Sequence, residues 1–491
     1  MGFGDPRDRK VPPRAARLRP IRPGTDLPVA LSVIRHLFEQ GHADLRFLAG
    51  HTTGAGDLRA AALPWSLERA AEVAGIETAA LRRFADLYAE RAPSVIRCGS
   101  GLERNRNGGN AVLAVLALPA VAGRFGVRGG GYPLGNSAAY ALQDKTWIDV
   151  AEPPTRLLNM NRLGRILCEP QDPPVKVLFV YNCNPVATMP DQRRVIEGLS
   201  RDDLFTVVFD QVRTDSAAFA DIVLPATTFL EHYDISTGYG AYDVQMVKPA
   251  IEPVGESRPN VEVFARLAAR LGVTATSEDD EAETIALLRV AAALPAGLGE
   301  AVLQGRPGYP AFGTRPVQFH DVFPGTPDRK IRLFPVEAAA DAPAGLYGYQ
   351  PDPGSPEFPL ALIAPASDHT ISSTMGQLPA EAASLWLHPD DAAARGIGAD
   401  DTVRVHNALG EVHCRMHLTE RVPPGTVSLP KGLWRQSTLN GATANALAPD
   451  TATDLGAGAC FNDARVEVSR IVGAQFEGQA VSLFVADLRR H

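Results

Sequence analysis

The segment from Val175 to Asp234 limits the fold more than any other part of the chain. It opens on Val175-Lys176-Val177-Leu178-Phe179-Val180-Tyr181, an apolar, β-branched run too short for a globular helix, which predicts a buried parallel strand. Asn182-Cys183-Asn184-Pro185 stops that strand, since Asn and Pro both favour turns. Asp191 to Leu199 sets Val195, Ile196 and Leu199 on one helical face. Two more apolar runs, Leu204 to Phe209 and Ile222-Val223-Leu224, end at Asp210-Gln211 and at Pro225. Strand, helix, strand with polar residues at the strand ends predicts a doubly wound α/β unit, whose ligands sit outside the carboxyl ends of the strands. Asn184, Asp210 and the loop Arg213 to Ala217 fall there. An amide and a carboxylate at neighbouring strand ends suit hydrogen bonding to a nucleobase or a pterin; they also suit capping of the helices that follow.

A chain of 491 residues should hold several domains, roughly three by the usual domain size. A net charge of −8 and a pI near 5.8 argue against a nucleic-acid partner. No apolar run is long enough to span a membrane, and neither an apolar signal core nor a twin-Arg signal opens the chain, so a cytoplasmic location is expected. Cys98, Cys168, Cys183, Cys414 and Cys460 are widely spaced, with no C-x2-C pair. That spacing predicts a reducing compartment, no disulfide framework and no iron–sulfur cluster held by this chain alone.

Met1 to Gly4 leads into Asp5-Pro6-Arg7, which reads as a polar turn with no strand ahead of it: either a frayed basic tail or the sequel to a strand outside this chain. Pro23-Gly24-Thr25-Asp26 precedes a helix from Pro28 to Glu39, and Ala61 to Tyr88 holds two more, the second burying Leu81, Phe84, Leu87 and Tyr88. Val95 to Cys98 reads as a short strand running into Gly99-Ser100-Gly101-Leu102-Glu103-Arg104. Glycines after a strand allow close backbone approach to an anion, and Arg104 can supply charge to a phosphate. A helix from Asn110 to Phe125 follows, then the glycine loop Gly129 to Gly131. Residues 153–174 read as a linker with a short strand around Ile166. Val261 to Leu271 is a helix with Phe264, Leu267 and Leu271 inward, Glu281 to Leu294 is another, and Lys330 to Phe334 is a returning strand. From Phe358 onward, short strands with polar turns predict a small β-barrel. His406, His413, Cys414 and His417 suggest a metal site, which strand parity weakens because Cys414 points away from His413 and His417. No G-x-S-x-G, Walker A or H-E-x-x-H motif occurs.

Asn184-Pro185, Asp210, Thr214-Asp215-Ser216-Ala217, Ala220-Asp221-Ile222-Val223-Leu224-Pro225-Ala226-Thr227-Thr228 and Glu231 together resemble the molybdopterin oxidoreductases of the DMSO reductase family. Asp5-Pro6-Arg7, Pro23 to Asp26, Gly99-x-Gly101, Asn107-Gly108-Gly109 and Gly129 to Gly131 fall in that family's order, as do His388-Pro389-x-Asp391-Ala392, Gly396-Ile397, Pro424-Gly425 and Asn445-x-Leu447. The resemblance covers nearly the whole chain and implies doubly wound, Rossmann-like α/β domains followed by a six-stranded, double-psi β-barrel. The implied boundaries are 1–150 and 151–275 for two α/β domains, 276–355 for a connecting region and 356–491 for the barrel.

The resemblance also implies a bis(molybdopterin guanine dinucleotide) cofactor with Mo or W, used for two-electron redox of a small substrate. Position by position, Asp5, Arg7, Gly24, Thr25 and Asp26 would hold one guanosine. Ser100, Gly101 and Arg104 would lie near a pterin, and Asn184, Phe209 and Asp210 would hold the other dinucleotide. Ser367, His369, Thr370, Thr374, Trp434, Asn445 and Asn462 match contact positions in the barrel. The family's amino-terminal cysteine motif and its metal-ligand segment are absent, so a 4Fe-4S cluster is expected only in a missing amino-terminal region. The expected partners are that segment or an iron–sulfur electron-transfer subunit, and Met1 is then an internal residue of a longer reading frame. The alternative is a non-catalytic scaffold of the same fold, as in the large iron–sulfur subunit of respiratory NADH dehydrogenase.

Overall fold

The computed structural model describes residues 2–3, 18–133, 135, 139, 155–238, 240–273, 277–290, 298–367, 371–378, 382–399 and 401–472. A two-residue strand, β1 (Gly2–Phe3), does precede Asp5, and it pairs in parallel with β2 (Leu18–Arg19). Helix α1 (Asp26–Glu39) begins two residues earlier than its apolar spacing predicts and buries Leu27, Leu31, Ile34 and Leu37 completely. Around it stand α2 (Leu45–His51), β3 (Thr52–Thr53), α3 (Ala55–Ala62), α4 (Leu67–Ala74), α5 (Thr78–Glu90) and α6 (Gly108–Val121). Local chemistry sets the ends: Asp44 caps α2 through Phe47 N at 2.8 Å, and Ser66 caps α4, which closes on the left-handed Gly75. α6 turns Ala111, Ala114 and Ala117 into the core, and small side chains there allow close approach to α1.

Two local expectations fail here. Val95 to Cys98 is no strand: it makes one bridge, Val95 to Gly131, and Val95 is 56% exposed. Leu87 lies at the surface rather than in the core.

The second unit begins with α7 (Leu163–Cys168), a helix where a strand around Ile166 was expected. Leu167 is what the helix buries, against α9, and a side chain at Gly198 would strike it at 2.4 Å. The organising segment folds as β4 (Val177–Tyr181), α8 (Pro185–Thr188), α9 (Gln192–Leu199), β5 (Phe205–Asp210) and β6 (Ile222–Pro225), a parallel sheet in the order β4-β5-β6. Leu167, Val186, Met189, Val195, Leu199 and Leu204 form the core on its α7/α9 face. The hairpin β7 (Asp234–Thr237) and β8 (Val244–Val247) follows, then α10 (Asn260–Leu271), α11 (Asp280–Val290) and α12 (Leu298–Leu303). α10 covers the other face of the sheet with Phe264, but Leu271, the last helical residue before the left-handed Gly272, is 78% exposed rather than inward.

β9 (Ile331–Arg332) returns to pair with β3, so Leu333, Leu346 and Tyr347 join the core of the first unit. β10 (Leu360–Ile363), β11 (Ser384–Leu387), β12 (Thr402–His406), β13 (Glu411–Leu418), β14 (Thr426–Ser428) and β15 (Arg465–Arg470) close a six-stranded barrel in the order β10-β14-β11-β13-β12-β15. The short helix α13 (Pro389–Ala393) follows β11. Cys414 packs in the barrel core, His413 bonds Glu411 and His417 lies against Trp386.

Candidate functional site

The strand-end cluster sits where β4 and β5 stop. Asn184 precedes α8 but makes no side-chain cap there. Its Oδ1 instead accepts from Ser216, 2.7 Å from the hydroxyl and 3.3 Å from the backbone N–H, and Ser216 Oγ accepts from Val186 N at 3.0 Å. The residue is 3% exposed, and its Nδ2 has no partner among the described residues. A buried amide donor without an acceptor is costly unless a bound group completes it. At the end of β5, the Asp210 carboxylate accepts from the N–H of Gln211 at 2.7 Å, the one bond to it among the described residues, and burial raises its carboxyl above the ordinary range. The Phe209 ring is 1% exposed among Phe179, Tyr181 and Phe264, which leaves its backbone as the part that faces the strand end.

A second cluster forms where the turn before α1 meets the loop 98–109. Gly24 has φ +83° and lies so close to Asn105 that an added Cβ would stand 2.7 Å from its Nδ2. Only glycine fits that conformation and that space. Thr25 is buried, and its hydroxyl donates to Arg22 O at 2.7 Å, closing its own turn. Asp26 is half-buried, and desolvation raises its pKa to about 7. Its charge reaches Cys98, whose thiol burial pushes up to about 11 with help from Glu103 and Asp26. Asp26 therefore stands beside the glycine loop. Ser100 and Gly101 are exposed, and Gly99 and Gly101 face open space with nothing within 4 Å of an added Cβ. Arg104 lies over the Phe461 ring at 5.2 Å.

The barrel closes both clusters from one side. Trp434 donates its indole N–H to Ser373 O at 2.8 Å, beneath Gly376, where any side chain would strike the ring. Asn445 is buried and donates to Met189 O at 2.9 Å, at the end of α8. Asn184 and Asn445 thus share one seam. Thr443 N donates to Gln192 Oε1 at 2.9 Å, and Arg435 N to Asp215 Oδ2 at 2.8 Å, on the same seam. Asn462 bonds within the protein: Nδ2 donates to Gly101 O, its N–H to Arg104 O, and Oδ1 accepts from Ala364 N. Of Thr374, the contact seen is a backbone bond to Ile371 O, and Ser367 is half-buried. Asp5, Arg7, His369 and Thr370 lie outside the described residues.

Sequence reasoning missed three groups. Thr214 and Thr443 each carry a buried hydroxyl with no partner among the described residues, on the two sides of the Asn184 seam. Lys431 stands on the barrel turn before Trp434, its amine pKa lowered by burial and then by the charge of Arg104. Thr214 lies in a motif already singled out. Thr443 and Lys431 carry no local signal, because docking of the barrel brings them in.

Glu231, at the end of the motif that follows β6, serves architecture. Its carboxylate accepts from Thr228 Oγ1 and Thr228 N, from Val254 N and from Ser257 Oγ, which hold its pKa down at about 2.

The sequence and the fold also match those of known proteins. The family described as "Molybdopterin oxidoreductase" matches residues 13–270, and "Molydopterin dinucleotide binding domain" matches residues 361–465. Probable oxidoreductase YoaE of Bacillus subtilis (strain 168) is 35% identical over 92% of this chain and 68% of its own length. Biotin sulfoxide reductase of Cereibacter sphaeroides is 29% identical over 86% of this chain and 64% of its own length. The chain therefore spans about two thirds of the length of these relatives. Acetylene hydratase from Pelobacter acetylenicus shares the fold, with a TM-score of 0.78 at 20% identity over 96% of this chain and 73% of its own. The relatives are named as oxidoreductases and reductases, which disfavours the scaffold alternative. The cofactor is a molybdopterin guanine dinucleotide carrying molybdenum, and with these matches over both the α/β portion and the barrel the chain belongs to the molybdopterin oxidoreductase family.

Proposed function

We propose that the seam between the strand ends and the barrel holds the dinucleotide, and that the chain uses it for two-electron redox of a small molecule. The observation that carries this reading is Asn184: a fixed amide in the seam whose acceptor is saturated and whose donor is unpaired. The unpaired hydroxyls of Thr214 and Thr443 surround the same seam, and Asp210 is a carboxylate set to accept N–H groups. These groups fit the edge of a purine or pterin, which offers both acceptors and N–H donors. On the other side, Gly24 and Asp26 would hold the second nucleoside, and the glycine loop with Arg104 would hold the pterin or phosphate beside it. When bound, the cofactor supplies oxygen-atom or hydride-equivalent transfer with two-electron cycling at the metal. The chain's own residues orient the two tails and exclude water from the seam. In this reading residues 1–150 and 151–275 are the α/β portions, 276–355 connects them and 356–491 is the barrel.

The names of the relatives make sulfoxides and N-oxides the first substrates to assay, with an electron carrier as partner. Among the described residues no helix is long and apolar enough to cross a membrane. The test is chemical analysis of the full chain purified from a molybdate-supplied host. Molybdenum, pterin and GMP released by acid should be present in the wild type. Asn184→Asp keeps the acceptor for Ser216 and removes the donor, so bound GMP should fall roughly tenfold. Wild-type protein without molybdenum and GMP would overturn the assignment.

A further inference from the structure

Arg104 and Lys431 belong to different parts of the fold; a short chain of bonds ties their backbones together, and the charge of Arg104 reaches the Lys431 amine. Arg104 O accepts from Asn462 N at 2.8 Å, Asn462 Oδ1 accepts from Ala364 N at 3.0 Å, and the neighbouring Pro365 O accepts from Lys431 N at 2.9 Å. The Lys431 turn is rigid: Gly432 has φ +71°, and a Cβ there would lie 1.8 Å from Ser372 O. Both cations are half-buried, and among the described residues neither forms an ion pair with a carboxylate. Glu103, adjacent to Arg104 in sequence, is exposed and acts on it only through its field. Beside them, Gly99 and Gly101 border open space. Two like charges held together without a counter-ion are unfavourable unless an anion completes the arrangement. The planar guanidinium and the ammonium supply complementary donors to phosphate oxygens.

We propose that Arg104 and Lys431 form a clasp for the diphosphate of the dinucleotide, one cation from the α/β portion and one from the barrel, so that cofactor binding draws the two portions together. This deepens the cofactor reading and rests on it. The burial of both side chains and the depressed pKa of Lys431, with Arg104 as its second cause, fit an arrangement built for an anion.

The test uses the full chain stripped of cofactor and titrated calorimetrically with inorganic pyrophosphate. The wild type should bind, Lys431→Gln and Arg104→Gln should each weaken binding roughly 10- to 100-fold, and Lys431→Arg should retain most of it. Circular dichroism establishes that each variant is folded, and Lys431→Arg keeps the test open if Lys431→Gln is not. GMP content of the cofactor-loaded protein is the second readout and should fall in Lys431→Gln. Pyrophosphate binding unchanged in both Gln variants, or absent from the wild type, overturns the clasp. Pyrophosphate binding that depends on Lys431 in a chain that never acquires GMP shows a diphosphate site at this pair but overturns the cofactor reading, and with it the assignment of the site to the dinucleotide.

Discussion

The barrel meets the rest of the chain along two stretches that are built in opposite ways. Along the first, 454–463 against 105–110, polar groups are closely matched. Arg106 makes a doubly bonded ion pair with the buried Asp463, which also accepts from Asn105. Asp454 accepts from the N–H groups of Gly109 and Asn110, at 2.7 and 3.2 Å, at the positive end of α6. Along the second, 431–445 against the strand ends and the glycine loop, Asn184, Thr214 and Thr443 have polar atoms, and Arg104 and Lys431 have charges, without a partner among the described residues. A folding chain has no reason to leave these groups unsatisfied on one side of a seam and pair nearly every one on the other. The matched stretch fastens the barrel, and the unmatched one is where a ligand completes the bonding.

The matched stretch should fail first and hardest when cut. Asp463→Ala leaves the Arg106 guanidinium largely buried without its partner and should lower stability by about 3–5 kcal/mol in urea unfolding. A loss below about 1 kcal/mol would show that the stretch does not fasten the barrel. Asp454→Ala removes a carboxylate from the first turn of α6 and should cost about 1–2 kcal/mol by the same measurement. Neither residue belongs to the ligand side, so chain that remains folded should keep its GMP content.

The matched and unmatched stretches differed in how far the sequence revealed them. The β4-to-β6 sheet was legible because short β-branched runs ending in Asn-Pro and Asp-Gln leave few alternatives. Closure of the barrel followed from alternating strands. α7 was misread because six residues between proline-rich flanks hold too little periodicity to separate helix from strand; burial of Leu167 on α9 decides it. Asn184 could be singled out because its position is set by the strand before it, but spacing left open whether it caps α8. Bonding to Ser216 shows that it does not. Alternation along β5 sets the direction of the Phe209 ring, into the core and opposite to its neighbour Asp210. Thr443 and Lys431 reach the site across more than two hundred residues of sequence, through contacts that no local pattern encodes.

Asp26 gives the smallest expected effect and the clearest sign. Its folded pKa is raised from 3.8 to about 7, so over that interval the folded chain holds a proton that the unfolded chain has lost. Stability contributed by this group is therefore present at low pH and declines as pH rises from about 4 to about 7, the reverse of a paired carboxylate such as Glu231, whose contribution is lost only as pH falls toward about 2. Asp26→Asn removes the titration. Allowing for partial exposure, the cofactor-free variant should be more stable than wild type at pH 8 by on the order of 1 kcal/mol, with the difference vanishing near pH 4. If Asp26 receives the N–H edge of a guanine, the same variant should lose GMP while gaining stability, the pattern expected of a binding residue kept at a cost to the fold. A variant that is less stable at pH 8 would place Asp26 with Asp463 and Asp454, among the groups that hold the molecule together.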